Sequence, residues 1–87
     1  MSLNRDEVLQ ALKKKLVELA EMLGNDASDV QPGESIPEGG YLDSAALLEL
    51  VSWFEGAYDL SIPAEDLTLE NLGSLEAMWA YLQRRKA

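Results

Sequence analysis

Leucine and valine recur at helical spacing near the start of the chain and predict an amphipathic helix over roughly residues 4 to 23. Asn4 and Glu7 have the spacing of a capping box at the N-terminus of this helix, and Gly24 interrupts the pattern at its C-terminus. Such a helix buries its apolar face against other elements. The residues of that face are Val8, Leu9, Leu12, Leu16, Leu19 and Leu23.

A second helix is predicted to begin at Asp43 or Ser44, either of which can cap it, and to run to about Ala57. Pro63 prevents the helix from continuing, and residues 68–72 are long enough for about one further turn. The residues expected to fill the core from this half of the chain are Leu47, Leu48, Leu50, Val51, Phe54 and Leu72.

Ser74 can cap a last helix, which closes with Arg84, Arg85 and Lys86 near the negative end of the helix dipole. The pattern contains no convincing strand. The chain is therefore expected to be all-α, a small antiparallel four-helix bundle of three main helices and one short helix, in a single domain over residues 1–87. The buried stripe of the last helix is predicted to be Leu75, Met78, Trp79 and Leu82.

Turn-forming residues accumulate between Gly24 and Leu42, and no apolar period survives there. This predicts a long loop between helices one and two. Loops of this length in small domains usually carry a function or are pinned by apolar side chains. Val30, Ile36 and Leu42 are the predicted anchors.

The chain contains no cysteine and no histidine. It therefore lacks disulfides, thiolate nucleophiles, cysteine-based metal sites and the usual general base, and no metal site of its own is expected. An enzyme is the least favoured class, because nothing in the sequence brings a lysine to Ser44 as an alternative base. A lone hydroxyl at a helix start indicates instead a serine that another protein modifies.

The net charge is −9, and the stretch between Lys15 and Arg84 holds fourteen acidic residues with no Lys or Arg. Such a surface repels nucleic acid and anionic lipid and attracts basic protein surfaces. No apolar run approaches the roughly 20 residues of a membrane span, and the N-terminus is too polar for a signal peptide. A soluble, cytoplasmic monomer is expected. One class that fits is a small acidic helical adaptor for other proteins, with no prosthetic group.

Residues 40–50, with the sequence GYLDSAALLEL, resemble the phosphopantetheine attachment motif of acyl carrier proteins, in which an Asp-Ser pair opens the second helix. Residues 55–68, with the sequence EGAYDLSIPAEDLT, resemble the continuation of that family at its usual separation. The resemblance covers essentially the whole chain and is best from Gly39 to Leu82.

The resemblance implies that a separate phosphopantetheinyl transferase, using coenzyme A and magnesium, attaches 4'-phosphopantetheine to Ser44. The thiol of that arm would carry an acyl or aminoacyl group as a thioester. The protein would then be a free-standing carrier, loaded by an activating ligase and used by a downstream synthase or transferase in fatty-acid, polyketide or nonribosomal peptide biosynthesis. Asp43 would cap the helix and help to organise the metal during transfer, and Gly39 and Gly40 would let the backbone yield as the transferase docks.

Helix two would also be the recognition face for partner enzymes. Ala45 replaces the bulkier aliphatic residue common after the serine, and Ser52 and Trp53 make the middle of the helix less acidic than in fatty-acid carriers. These departures favour an aminoacyl or specialised acyl carrier. Trp53 has a second interpretation, as a packing residue. The residues expected to contact partners are Leu42, Ala45, Glu49, Trp53, Glu55, Glu65 and Asp66.

Overall fold

Four α-helices and one short 3₁₀ turn make up the regular structure of the computed structural model, which describes residues 4–86. Within that range there is no strand, so the prediction of an all-α bundle with three main helices and one short helix is confirmed. The helices are α1 (Arg5–Met22), α2 (Ser44–Ala57), α3 (Leu69–Leu72) and α4 (Leu75–Lys86), and the 3₁₀ turn is Ala64–Asp66.

One apolar core joins the helices, with α1 packed against α2 and α4, and α3 packed against α4. The α1 stripe is buried as predicted except for Leu23, which is 44% exposed. The reason is that α1 ends at Met22, and Leu23 is already the capping residue where the chain turns away. No helix within residues 4–86 combines the length and the apolar character needed to cross a bilayer. The largest side chains that are fully buried are Phe54, Leu12, Leu16, Ile36, Leu50, Leu75, Met78, Leu82 and Val30.

The prediction that Leu48 belongs to the core is wrong, because its side chain is 58% exposed. Leu50, Val51 and Phe54 are buried on α2, and Leu47 is half-buried against the same cluster. Leu47, Val51 and Phe54 follow the helical period, whereas Leu48 falls one step of about 100° away from that stripe. The helix therefore turns Leu48 outward.

The long loop between α1 and α2 is pinned by its three predicted anchors, since Val30, Ile36 and Leu42 are 1%, 0% and 6% exposed. Ile36 also donates its backbone N–H to the carbonyl of Gly73 at 2.8 Å, just after α3. The loop is thereby fixed to the turn between α3 and α4. This explains how a segment without regular structure brings Leu42, and the residues after it, to a defined place.

Two glycines are expected to respond to alanine with opposite signs. A Cβ on Gly56, in α2, would meet nothing within 4 Å, whereas a Cβ on Gly73 would lie 2.5 Å from the backbone oxygen of Leu69. Gly56→Ala should therefore raise the free energy of unfolding by about 0.5–1 kcal/mol, because alanine restricts the unfolded chain and favours helix. Gly73→Ala should lower it by about 1–3 kcal/mol through overpacking. Urea denaturation followed by circular dichroism measures both, and equal effects of the two variants would contradict the geometry.

The basic residues at the end of α4 bind α3 and the connection between α2 and α3. Arg84 donates to the side-chain oxygen of Asn71 at 3.1 Å, Arg85 to the backbone oxygen of Ser61 at 3.2 Å and Lys86 to that of Asp59 at 3.0 Å. These side chains lie near the helix C-terminus, where positive charge is favourable. Arg84 thus ties the final turn of α4 to α3, and Arg85 and Lys86 tie it to the segment that precedes α3.

Candidate functional site

Ser44 is the first residue of α2, and its side chain is exposed. Two core residues set this position, since Leu42 is 6% exposed and Ala46 is 8% exposed, whereas residues 43–45 are all exposed. Because Leu42 and Ala46 are both anchored in the core, the exposed segment between them is held in one position at the surface. The hydroxyl of Ser44 is therefore presented to solvent at a fixed point.

Asp43, and not Ser44, caps α2. Its backbone is extended (φ −82°, ψ 179°), and its Oδ1 accepts the backbone N–H of Ala46 at 2.8 Å. Its carbonyl accepts the N–H of Leu47 at 2.9 Å, which closes the first helical turn. Among residues 4–86 no hydrogen bond engages the hydroxyl of Ser44. The cap and the reactive group are thus separate side chains, and the hydroxyl remains available.

The start of α2 is electrostatically suited to a phosphate ester. The first N–H groups of a helix have no acceptor within the helix, and together with the helix dipole they attract anions. The first turn of α2 carries no acidic side chain, although α1, α3 and α4 each carry at least one there. Apart from the cap Asp43, no carboxylate in the first turn opposes a negative group on Ser44.

The segment leading into Ser44 is tied down at several points. Gly40 has a positive φ of 72°, which favours glycine, and the ring of Tyr41 covers Gly39 so closely that a Cβ there would collide. The Tyr41 hydroxyl donates to Glu34 Oε2 at 2.7 Å. The two glycines therefore permit a tight turn and a close approach, and their yielding as a transferase docks stays a prediction.

Three of the residues expected to contact partners are fully available at the surface. Ala45 and Glu49 are exposed on α2, the helix that begins at Ser44, and Glu65 is exposed in the 3₁₀ turn. Trp53 is half-buried and packs edge-to-face against Tyr58, with ring centroids 6.4 Å apart. Its packing role is therefore evident in the structure.

The other three expected contacts are engaged inside the protein. Leu42 lies in the core at 6% exposure, so its side chain cannot meet a partner from there. Glu55 Oε2 accepts the backbone N–H of Ile62 at 2.8 Å. Asp66 Oδ2 accepts the Tyr81 hydroxyl at 2.8 Å. These two carboxylates thus accept hydrogen bonds that fix the segment between α2 and α3.

The Tyr81–Asp66 contact predicts a loss of stability at alkaline pH. Burial raises the pKa of Tyr81 above 10.0, and the hydrogen bond to Asp66 raises it further. Because the folded state favours the protonated phenol, this contribution is fully present below about pH 10, the unfolded value. It is lost as pH rises through the folded pKa. Urea denaturation between about pH 9 and pH 11 should show this decline, and Tyr81→Phe should make it shallower. The remaining decline belongs to Tyr41 and Tyr58, whose pKa values are also raised, by the hydrogen bond to Glu34 and by burial respectively. An unchanged decline in Tyr81→Phe would contradict the assignment.

An apolar groove that the sequence analysis missed lies between α2 and α3. It is open to solvent, with a volume of about 120 Å³. Leu48 lies one turn after Ser44 on α2. Leu67, which precedes α3, is 43% exposed, and Leu69, the first residue of α3, is 63% exposed. The signal that could have found it is the helical period of α2, which leaves Leu48 outside the core stripe. The groove is lined by Leu47, Leu48, Val51, Leu67, Thr68, Leu69 and Leu72.

No group of three or more carboxylates is placed to hold a metal ion in the part of the chain that the structure describes.

Comparison with known proteins gives a consistent result. Residues 14–81 match the family model described as a phosphopantetheine attachment site. An acyl carrier protein of Syntrophobacter fumaroxidans is 32% identical over 78 residues, which cover 88% of this chain and 94% of the relative. An acyl carrier protein of Rubrobacter xylanophilus is 36% identical over 64 residues, which cover 74% of this chain and 75% of the relative. No solved structure gave a significant match.

Proposed function

This chain belongs to the acyl carrier protein family, and we propose that Ser44 is the residue to which its prosthetic group is attached. Proteins of this family are carriers and not enzymes, and their prosthetic group is covalently attached 4'-phosphopantetheine. The observation that carries the proposal is the exposed, unengaged hydroxyl at the first residue of α2, within the matched residues 14–81.

The surroundings of Ser44 fit this group. Asp43 already satisfies the N–H of Ala46, and the earlier amides of the first turn are left for a phosphodiester. Ala45 is small and exposed, so it does not obstruct an arm that leaves the hydroxyl. When bound, the arm supplies a thiol, and the chain has no cysteine that could supply one itself.

The chemistry that this chain contributes to its own modification is that of an alcohol nucleophile. Ser44 Oγ forms a bond to the β-phosphorus of coenzyme A, the bond from that phosphorus to the adenosine bisphosphate breaks, and the hydroxyl proton leaves. With no histidine in the chain, the base that takes the proton belongs to the phosphopantetheinyl transferase. The role of Asp43 in this step is to fix the backbone from which Ser44 projects.

We propose that the cargo is an aminoacyl or specialised acyl group, held as a thioester. The relatives described above are named acyl carrier proteins. On α2 of this chain, Ala45 offers little apolar surface beside the attachment point, and Ser52 and Trp53 reduce the acidity of the middle of the helix. Those positions support an aminoacyl or specialised acyl cargo over an ordinary fatty acyl group.

The partners in this proposal are the transferase, an activating ligase and a downstream synthase or transferase. Ala45, Glu49 and Glu65 are the predicted contacts that remain exposed, and they lie on or near the helix that carries Ser44. The two exposed carboxylates favour partners with a basic surface. A partner docked there would have Ser44 within its reach.

Intact-protein mass spectrometry tests the proposal after incubation with coenzyme A, magnesium and a transferase of broad specificity. We expect the mass to rise by one phosphopantetheine per chain. If the mass stays constant under conditions that fully convert another acyl carrier protein, the proposal fails. The small acidic adaptor without a prosthetic group would then be the better interpretation.

A further inference from the structure

The end of α1 is tied to the segment that leads into Ser44 by one side chain, Asn25. Its Nδ2 donates to the backbone oxygen of Gly40 at 3.3 Å and to that of Tyr41 at 3.1 Å. We infer that Asn25 is a positioning residue for the modification of Ser44, an inference that rests on the proposed function. It acts through the backbone and does not contact the hydroxyl itself.

Asn25 is held firmly enough to serve this purpose. Its own backbone N–H donates to the carbonyl of Ala20 at 2.8 Å, and the N–H of Gly24 donates to that of Glu21 at 3.0 Å. With a φ of 80° at Gly24, these bonds form the Schellman arrangement that ends many helices. The position of Asn25 is therefore set by α1, whose apolar face lies in the core.

The constraint passes from Asn25 to Ser44 over a short path. The Tyr41 carbonyl is held by Asn25, Leu42 is buried at 6% exposure, and Asp43 is fixed as the cap of α2. Each residue between the clamp and Ser44 thus has its own attachment. Because this segment is already ordered in the free carrier, it loses less conformational freedom when a transferase docks. This preorganisation favours binding.

The chemistry at this position calls for an amide. Two carbonyl oxygens need two N–H donors, and the side-chain NH₂ of asparagine supplies both. Aspartate has nearly the same shape but would place a carboxylate against two carbonyl oxygens. Gly40 is exposed and Tyr41 is half-buried, so water can replace the lost hydrogen bonds. Loss of the clamp should therefore act chiefly on the order of the segment, with a smaller effect on folding.

Steady-state kinetics of phosphopantetheine transfer test the inference with the full chain, magnesium, coenzyme A and a broad-specificity transferase. We expect Asn25→Ala and Asn25→Asp to raise the KM for the carrier by about three- to tenfold, on the scale of one or two net hydrogen bonds. The kcat should change by less than about twofold, because docking is weakened and the reacting atoms are not touched.

Asn4→Ala is the matched control. Asn4 caps the other end of α1 by accepting the N–H of Glu7 at 3.2 Å, so the variant also removes an asparagine contact and destabilises the same helix. Its KM should match that of the wild type. A KM that is unchanged in both Asn25 variants, or raised equally in Asn4→Ala, would overturn the positioning role.

Hydrogen exchange separates this inference from the proposed function. The amides of Gly39 and Gly40, which donate to the carbonyls of Ser35 at 3.0 Å and Pro37 at 3.1 Å, should exchange about three- to tenfold faster in Asn25→Ala than in the wild type, and Asn4→Ala should leave them unchanged. Equal exchange in Asn25→Ala and the wild type means that there is no clamp, whatever the transferase does. A wild-type chain that gains no phosphopantetheine sinks the proposed function, while faster exchange in Asn25→Ala would still establish the clamp.

Discussion

Replacing Phe54 with alanine is expected to lower the free energy of unfolding by about 3–5 kcal/mol, the usual cost of removing a buried aromatic ring. Phe54 is 0% exposed in the middle of the core and packs edge-to-face against Tyr58, with centroids 5.6 Å apart. A chain of 87 residues has a total stability of roughly 4–13 kcal/mol by the usual value per residue. The substitution should therefore remove a large fraction of it, as measured by urea denaturation followed at 222 nm.

The control for this prediction is Leu48→Ala, on the same helix but 58% exposed. It should change the free energy of unfolding by less than about 0.5 kcal/mol, as is usual for surface positions. Phe54→Leu, which keeps most of the apolar volume, should lose about 1–1.5 kcal/mol and remains measurable if Phe54→Ala does not fold. The account of the core is contradicted if Leu48→Ala costs as much as Phe54→Ala.

The helices and their starts could be predicted from the sequence because local patterns determine them. The stripe on α1 and the cap at Asp43 depend on residues within one or two helical turns. The same holds for the burial of Val30 and Ile36, which are the isolated apolar residues of a polar loop. In each case the signal and the structure it determines lie close together in the chain.

The features that the sequence did not predict depend on contacts between distant residues. Asp66 bonds to Tyr81 fifteen positions away, and Asn25 bonds to Tyr41 sixteen positions away. The sequence identifies Asp66 only as an acidic residue and Asn25 only as a turn former. Neither property indicates which residue it bonds to. The exposure of Leu48 is a different case. The helical period predicts it, but Leu48 stands in a run of apolar residues that suggested burial.

The substitution with the largest expected effect on function is Ser44→Ala, which should abolish attachment of phosphopantetheine. The chain has other exposed hydroxyls, and Ser52 is exposed on the same helix. Within residues 4–86, Thr68 and Ser74 also stand at helix starts, but their hydroxyls accept the N–H groups of Asn71 and Ala77 as caps. The hydroxyl of Ser44 carries no such bond and lies where unpaired amides and the helix dipole favour an added phosphate. Because Asp43 supplies the cap, Ser44→Ala should change the free energy of unfolding by less than about 0.5 kcal/mol, so the loss reports on the hydroxyl and not on the fold.

Intact-mass analysis with peptide mapping of the wild type, Ser44→Ala and Ser52→Ala, each incubated with coenzyme A, magnesium and the transferase, tests the central claim most directly. The wild type and Ser52→Ala should each gain one phosphopantetheine on the peptide that contains Ser44. Ser44→Ala should gain none. Phosphopantetheine on Ser44→Ala, or on any peptide of the wild type that lacks Ser44, would contradict the account.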